Sequence, residues 1–136
     1  MPILYLPDGT TPVRIFYPSD ILVTGTAAAN GALTLTLPAG GLNLFHYITA
    51  LYITRTATAA LTGNATLVVT STNLPGSMAW SFGNAMAAGG TQNDLALQMA
   101  GNPIKASAAN TQTTIVMPAP GAAVLWRAWV AYYLAS

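Results

Sequence analysis

Hydrophobic and polar residues alternate along this chain with a period of two. In Ala32 to Leu37, the residues Leu33, Leu35 and Leu37 fall on one face, and Thr34 and Thr36 on the other. A strand sends successive side chains to opposite faces, so the pattern predicts strands with one dry face and one wetter face. Ala65 to Ser71 repeats it more loosely, and Thr111 to Met117 closes on Ile115, Val116 and Met117. Two longer runs behave differently. Phe45 to Thr58 sets Phe45, Tyr47, Thr49, Leu51, Ile53 and Arg55 against His46, Ile48, Ala50, Tyr52, Thr54 and Thr56. The last run sets Val124, Trp126, Ala128, Val130, Tyr132 and Leu134 against Leu125, Arg127, Trp129, Ala131 and Tyr133. Both faces of these runs are apolar, and such strands must be covered on both sides. One cover is the second sheet of a sandwich. The other is a neighbouring subunit or, alternatively, the chain's own loops.

Turn signals punctuate the runs at high density. They include Pro7-Asp8-Gly9, Ala29-Asn30-Gly31, Pro38 to Gly41, Thr62-Gly63-Asn64, Leu74-Pro75-Gly76, Gly89-Gly90, Gly101-Asn102-Pro103 and Pro118 to Gly121. The expected strands are 13–17, 20–26, 32–37, 45–58, 65–71, 94–99, 110–117 and 122–134. This is an all-β chain, an eight-stranded antiparallel β-sandwich of jelly-roll type, in a single domain. Met78 to Gly90 reads as a longer connection, with one helical turn over Ala85 to Ala88. Residues 1–18 differ in texture, with internal prolines Pro7, Pro12 and Pro18 among aromatic and aliphatic side chains. They read as an N-terminal arm packing on a neighbour, ahead of a sandwich over 19–136. An edge strand whose prolines block further pairing is the equal alternative.

Charge sharpens this picture. Only four residues are Lys or Arg, three are Asp and none is Glu, so 5% of the chain is charged while 53% is hydrophobic. A soluble domain ordinarily carries about 25% charged residues. A chain this poor in charge is expected to hide much of its surface against copies of itself or a larger assembly. Arg14, Arg55, Lys105 and Arg127 are scattered, which is no basic stripe for nucleic acid. Ala122 to Ala135 is the most apolar run, interrupted by Arg127 and short of the roughly 20 apolar residues of a membrane helix. Met1 to Thr10 has no basic residue ahead of an apolar core, so no secretory signal is expected there. The absence of cysteine removes disulfides and thiolate metal sites and suits assembly in a reducing cytoplasm.

Candidate chemistry is thin. His46 is the only histidine, and a usual zinc site needs three or four His, Cys or carboxylate ligands. Ser71, Ser77 and Ser81 lack the Gly-x-Ser-x-Gly elbow, and only His46 could act as their base. Asp8, Asp20 and Asp94 read as loop caps. Asn93 and Asp94 make a weak calcium pair, because tight sites gather several carboxylates. Gly83 to Gly90 has no Lys-Ser or Lys-Thr after it and is no phosphate loop. No catalytic, cofactor-binding or metal-binding residues are therefore expected, and no cofactor. Trp80, Trp126 and Trp129 invite a sugar-platform reading, with Trp80 and the Met78–Gln92 loop as the contact. Trp126 and Trp129 fall on opposite faces of one strand, however, and large aromatics also dominate subunit interfaces. The interface residues expected are Tyr47, Tyr52, Trp126, Trp129, Tyr132 and Tyr133.

Two phrases carry a resemblance. Leu74-Pro75-Gly76-Ser77 through Trp80-Ser81-Phe82-Gly83-Asn84-Ala85-Met86-Ala87-Ala88-Gly89-Gly90-Thr91-Gln92 is one. Pro118-Ala119-Pro120-Gly121-Ala122-Ala123-Val124-Leu125-Trp126-Arg127, running into a Tyr-rich terminus, is the other. Over roughly residues 30 to 136 the chain resembles small virion proteins of tailed bacteriophages and prophages. The resemblance implies a structural role, a capsid decoration (cement) protein on the head surface, assembled in the host cytoplasm. Its partners would be the major capsid protein and itself, as a homotrimer. The aromatic closing strand also resembles the layout of tumour-necrosis-factor-like jelly-roll trimers. On this reading Ile3, Tyr5, Phe16 and Tyr17 of the arm would contact the capsid. The rival is a receptor- or glycan-binding module of a tail or head fibre.

Overall fold

The structure, a computed structural model, describes residues 21–63, 65–99 and 101–136, with the backbone of two short N-terminal strands. In chain order the strands are β1 (Leu4–Tyr5), β2 (Pro12–Val13), β3 (Ile21–Thr26), β4 (Leu33–Leu37), β5 (Phe45–Ala57) and β6 (Thr66–Ser71). They continue with β7 (Ala79–Gly83), β8 (Thr91–Gln98), β9 (Ile104–Lys105), β10 (Thr113–Met117) and β11 (Val124–Ala135). The side chains of Ile3, Tyr5, Phe16 and Tyr17 lie outside the described residues. So does the strand expected over 13–17, apart from Val13.

Two antiparallel sheets make an all-β sandwich. One has the order β4-β10-β6-β7 and the other β3-β11-β5-β8, with β9 adding to β5. The pairing is nested: β3 with β11, β4 with β10, β5 with β8, β6 with β7. From β3 to β11 the chain is thus one long hairpin rolled up so that successive strand pairs alternate between sheets, which is the jelly-roll arrangement. Gly25 shows how tightly the roll closes. A Cβ there would stand 2.8 Å from Leu33 Cδ1 and 2.9 Å from Leu35 Cδ2, where β3 crosses the leucines of β4.

The core fills the space between the sheets. Leu35, Leu37, Leu51, Ile53, Val69, Ile115, Met117, Trp126 and Val130 are fully buried in it. The dry face predicted for β4 and β6 is the inner face, and in β10 Thr113, Ile115 and Met117 turn inward while Val116 turns out. Three expectations are corrected. Ala79–Gly83 is not part of a connection but an edge strand, whose Trp80 and Phe82 pair with Val69 and Leu67 and turn inward. Ala85 to Ala88 forms no helical turn; Met86 instead makes an isolated bridge to Leu61. Among the described residues the one helical element is the 3-10 turn Pro75–Ser77.

The third correction concerns β5. The register against β11 passes from Ala131–Ala50 to Tyr132–Ile48, leaving Thr49 as a bulge. A bulge inserts one residue and so inverts the parity of the strand beyond it. His46 and Ile48 therefore face inward with Leu51, Ile53, Arg55 and Ala57, while Phe45 and Tyr47 face outward with Tyr52. The Thr49 hydroxyl donates to Ala131 O at 3.1 Å and ties the bulge down.

Tyr132 is 2% exposed and packs edge-on against His46, with ring centroids 5.1 Å apart. Burial disfavours its phenolate and raises its pKa above the ordinary 10.0. Above about pH 10 the unfolded chain gives up this proton while the folded chain keeps it, so stability falls as pH rises. Thermal melts at increasing pH should show that alkaline loss, and Tyr132→Phe should reduce its slope. An identical slope in the variant would assign the loss to other groups.

Candidate functional site

The two outer faces of the sandwich differ in chemistry. The outer face of the four-stranded sheet carries Thr34, Thr36, Thr66, Thr70, Ser81 and Thr114, with Val68 and Val116 among them. It is a small, hydroxyl-rich surface. Thr72 and Thr114 share a hydrogen bond of 2.8 Å at its edge.

The outer face of the five-stranded sheet is aromatic. Cross-strand pairing fixes its rows. Trp129 lies between Thr24 and Tyr52, and Tyr47 lies between Tyr133 and Lys105. Between these rows Ala131 faces Ala50, flanked by Leu22 and Gln98. Arg127 pairs with Thr54 and Thr26, Leu125 with Thr56, and Ala135 with Phe45. The Tyr52 and Trp129 rings stack at 4.3 Å with planes 17° apart, and Tyr47 and Tyr133 stack at 5.0 Å with planes 4° apart. Gln98 Nε2 donates to the Tyr52 hydroxyl. Each stacked pair forms a ridge, and the Ala50–Ala131 row is a trough between two ridges.

Charge on this face is positive. Lys105 Nζ sits 4.0 Å from the Phe45 ring centroid, held by attraction to the ring's negative face. Arg127 is exposed and makes no ion pair among the described residues. No acidic side chain described lies on the face. Asp94 is inside the sandwich, where it binds Arg55.

That inner pair is the other polar feature of the fold. Asp94 is the extra residue of a second bulge, since β5 pairs Ile53 with Leu95 and then Thr54 with Asn93. The bulge swings the carboxylate under the sheet. Arg55 Nε donates to Asp94 Oδ2 at 2.6 Å and Nη2 to Oδ1 at 2.7 Å, both side chains wholly buried. Nη2 also donates to Gly83 O at 2.8 Å, so the guanidinium links the two sheets where their β8 and β7 edges meet. The guanidinium carbon lies 5.5 Å from the Trp126 ring centroid. Asp94 is thus a strand residue in an ion pair, not a loop cap or half of a calcium site.

His46 is held structurally. Nε2–H donates to Pro38 O at 2.9 Å, which fixes that proton, and Nδ1 lies 2.9 Å from Thr113 Oγ1. Thr113 Oγ1 in turn accepts from Asn73 Nδ2 at 3.0 Å. Among the described residues no three His, Asp or Glu side chains gather to hold a metal. An open groove of about 660 Å³ runs where the β7 and β8 edges part, lined by Met78, Trp80, Leu97, Met99 and Ile104.

Four of the six expected interface residues, Tyr47, Tyr52, Trp129 and Tyr133, come together on the aromatic face. Trp126 and Tyr132 do not. They are 0% and 2% exposed inside the sandwich and cannot meet another subunit. Phe45 joins the face unannounced because the Thr49 bulge brings it there, and Lys105 arrives through β9, a strand too short to show as alternation. No family model, no curated protein and no solved structure matches the chain.

Proposed function

We propose that this chain is a structural component of a virus particle, a decoration protein that binds and stabilises the head of a tailed bacteriophage. The observation that carries the reading is the contrast between the two outer faces: one built of small hydroxyl residues, the other an aromatic surface open on a charge-poor sandwich. Contiguous apolar surface of this kind marks an interaction site. The described polar side chains with buried partners, His46, Arg55, Asp94 and Thr113, are all engaged in holding the fold. What the molecule offers to the outside is area and rigidity. Threonine, alanine and glycine surfaces lose little side-chain entropy on docking, and an interface repeated over a shell sums many modest contacts. In this reading Ile3, Tyr5, Phe16 and Tyr17 supply the capsid contact. The fibre-tip alternative would rest on Trp80, which packs partly against the core and lines the open groove at the β7 and β8 edges.

The test is mass spectrometry of particles purified by density gradient from the phage or induced lysogen that encodes the chain. The expected result is the chain in intact heads, at a copy number comparable with the major capsid protein. Particles that lack it, with the chain left free in the lysate, would overturn the proposal.

A further inference from the structure

The aromatic face is a self-complementary surface, and we propose that its partner is a second copy of the same face, packed antiparallel about a two-fold axis. The axis lies in the interface plane, crosses the strands, and passes between the Trp129–Tyr52 row and the Ala131–Ala50 row. The inference concerns the isolated protein and holds whether or not the particle reading does.

Shape along two strands favours this packing. A two-fold axis in that position lays β11 on the partner's β11 and β5 on the partner's β5, each pair running in opposite directions. Trp129 of one copy then drops onto Ala131 of the other, and Tyr52 onto Ala50. One row further out, the Arg127 guanidinium meets the ring of Tyr133, and Tyr47 meets Thr54. At the ends Leu125 meets Ala135, and Phe45 meets Thr56. Large residues thus meet small ones, except where a cation meets an aromatic ring. The order follows from the observed register, which places the rows in this sequence along the sheet. Moving the axis onto the Trp129 row sets ridge against ridge, and an axis parallel to the strands does the same. Face-to-face sheets rotate by roughly 30° through their twist, which displaces the rows nearest the axis least. Those are the Trp129 and Ala131 rows.

Area and charge agree. β5 and β11 run 13 and 12 residues. With β3, β8 and β9 adding 6, 8 and 2 residues, ~3.3 Å per residue and ~4.8 Å between strands give the face ~650 Å², within the ~600–1,000 Å² that each partner of a standard stable interface buries. The antiparallel arrangement keeps the two Arg127 side chains three rows apart, ~20 Å, beyond the screening length at physiological salt. Each instead lies over a tyrosine, where a desolvated cation is favourable. Lys105 stays two strands away from the partner's Arg127, on its own Phe45 ring.

The experiment is sedimentation equilibrium on the full chain, with circular dichroism to verify folding. Wild type should run at twice the chain mass of 14.0 kDa. Trp129→Ala and Ala131→Trp should each weaken association by at least ~30-fold, the first by removing the ridge and the second by filling the trough. The double exchange, Trp129→Ala with Ala131→Trp, moves the ridge into the trough position on both copies at once and should restore the dimer. Val68→Lys on the opposite outer face should leave the mass unchanged. A wild-type monomer at high concentration, a trimer indifferent to Trp129, or a double exchange that folds but stays monomeric would each overturn the proposal.

Discussion

Asp94→Ala should lower the folding free energy by about 3–5 kcal/mol, read from the urea midpoint at constant slope. The reason is the guanidinium left behind. Arg55 is 0% exposed, and its two contacts to Asp94 are the charge-assisted bonds that make its burial tolerable. Without the carboxylate a full positive charge remains between two sheets, with Gly83 O at 2.8 Å and Gln92 Oε1 at 3.5 Å as its acceptors and Nη1 still lacking any. Domains of this size have only about 5–15 kcal/mol in hand, so the variant would be marginal. A second variant keeps the claim testable if the first fails to fold. Arg55→Met combined with Asp94→Leu replaces both charges by apolar groups, and buried pairs replaced in that way are commonly neutral or more stable. The double variant should regain most of the loss. A single variant within about 1 kcal/mol of wild type would mean that water reaches the pair, contrary to its complete burial.

The legible part of this fold is the part with simple parity. In β4 leucine alternates strictly with threonine, and hydrophobic burial can sort such a strand in one way only; β6 and β10 follow the same parity more loosely, with Val68 and Val116 outside and Thr113 inside. β11 is different. Its two faces were separable, with Trp126 and Tyr132 on one and Trp129 and Tyr133 on the other. Which of them looks outward was not, because both are apolar and burial gains are similar either way. The answer depends on packing against β4, β6 and β10, which no single strand encodes. β5 hides a bulge at Thr49, and one inserted residue carries no signature in a run where both parities are apolar. The same cause concealed the Arg55–Asp94 pair: with regular pairing Asp94 would fall out of step with Arg55, and the second bulge brings it inward. β7 gives no strand signal in the sequence because its Trp80 and Phe82 stand among alanine, serine and glycine, whose turn-forming tendency outweighs two aromatics in a short window. The candidate surface inherits these limits. Its four expected aromatics were visible as bulky residues on two-sided strands, while its ridge-and-trough relief depends on a register that only the folded sheet fixes.

Trp126→Ala should cost about 3–5 kcal/mol, the range for deleting a large aromatic from a packed core. Trp126 is 0% exposed, pairs across the sheet with Arg55, and its Nε1–H donates to Pro118 O at 2.6 Å. The substitution therefore opens a cavity, leaves a carbonyl without its donor and removes the ring beside the guanidinium. Trp126→Phe keeps most of the volume and loses chiefly the hydrogen bond, so it should cost only about 1–2 kcal/mol. Trp129 lies three residues on, in the same strand and on the opposite face. Measured at concentrations too low for copies to associate, Trp129→Ala should lose no more than about 1 kcal/mol, the scale of a single cross-strand aromatic pair. Equal losses for Trp126→Ala and Trp129→Ala would mean that both indoles are core residues and that the aromatic face is not free for a partner. The expected ordering instead separates the strand's two sides: the inner side fixes whether the sandwich folds, and the outer side fixes what the folded sandwich binds.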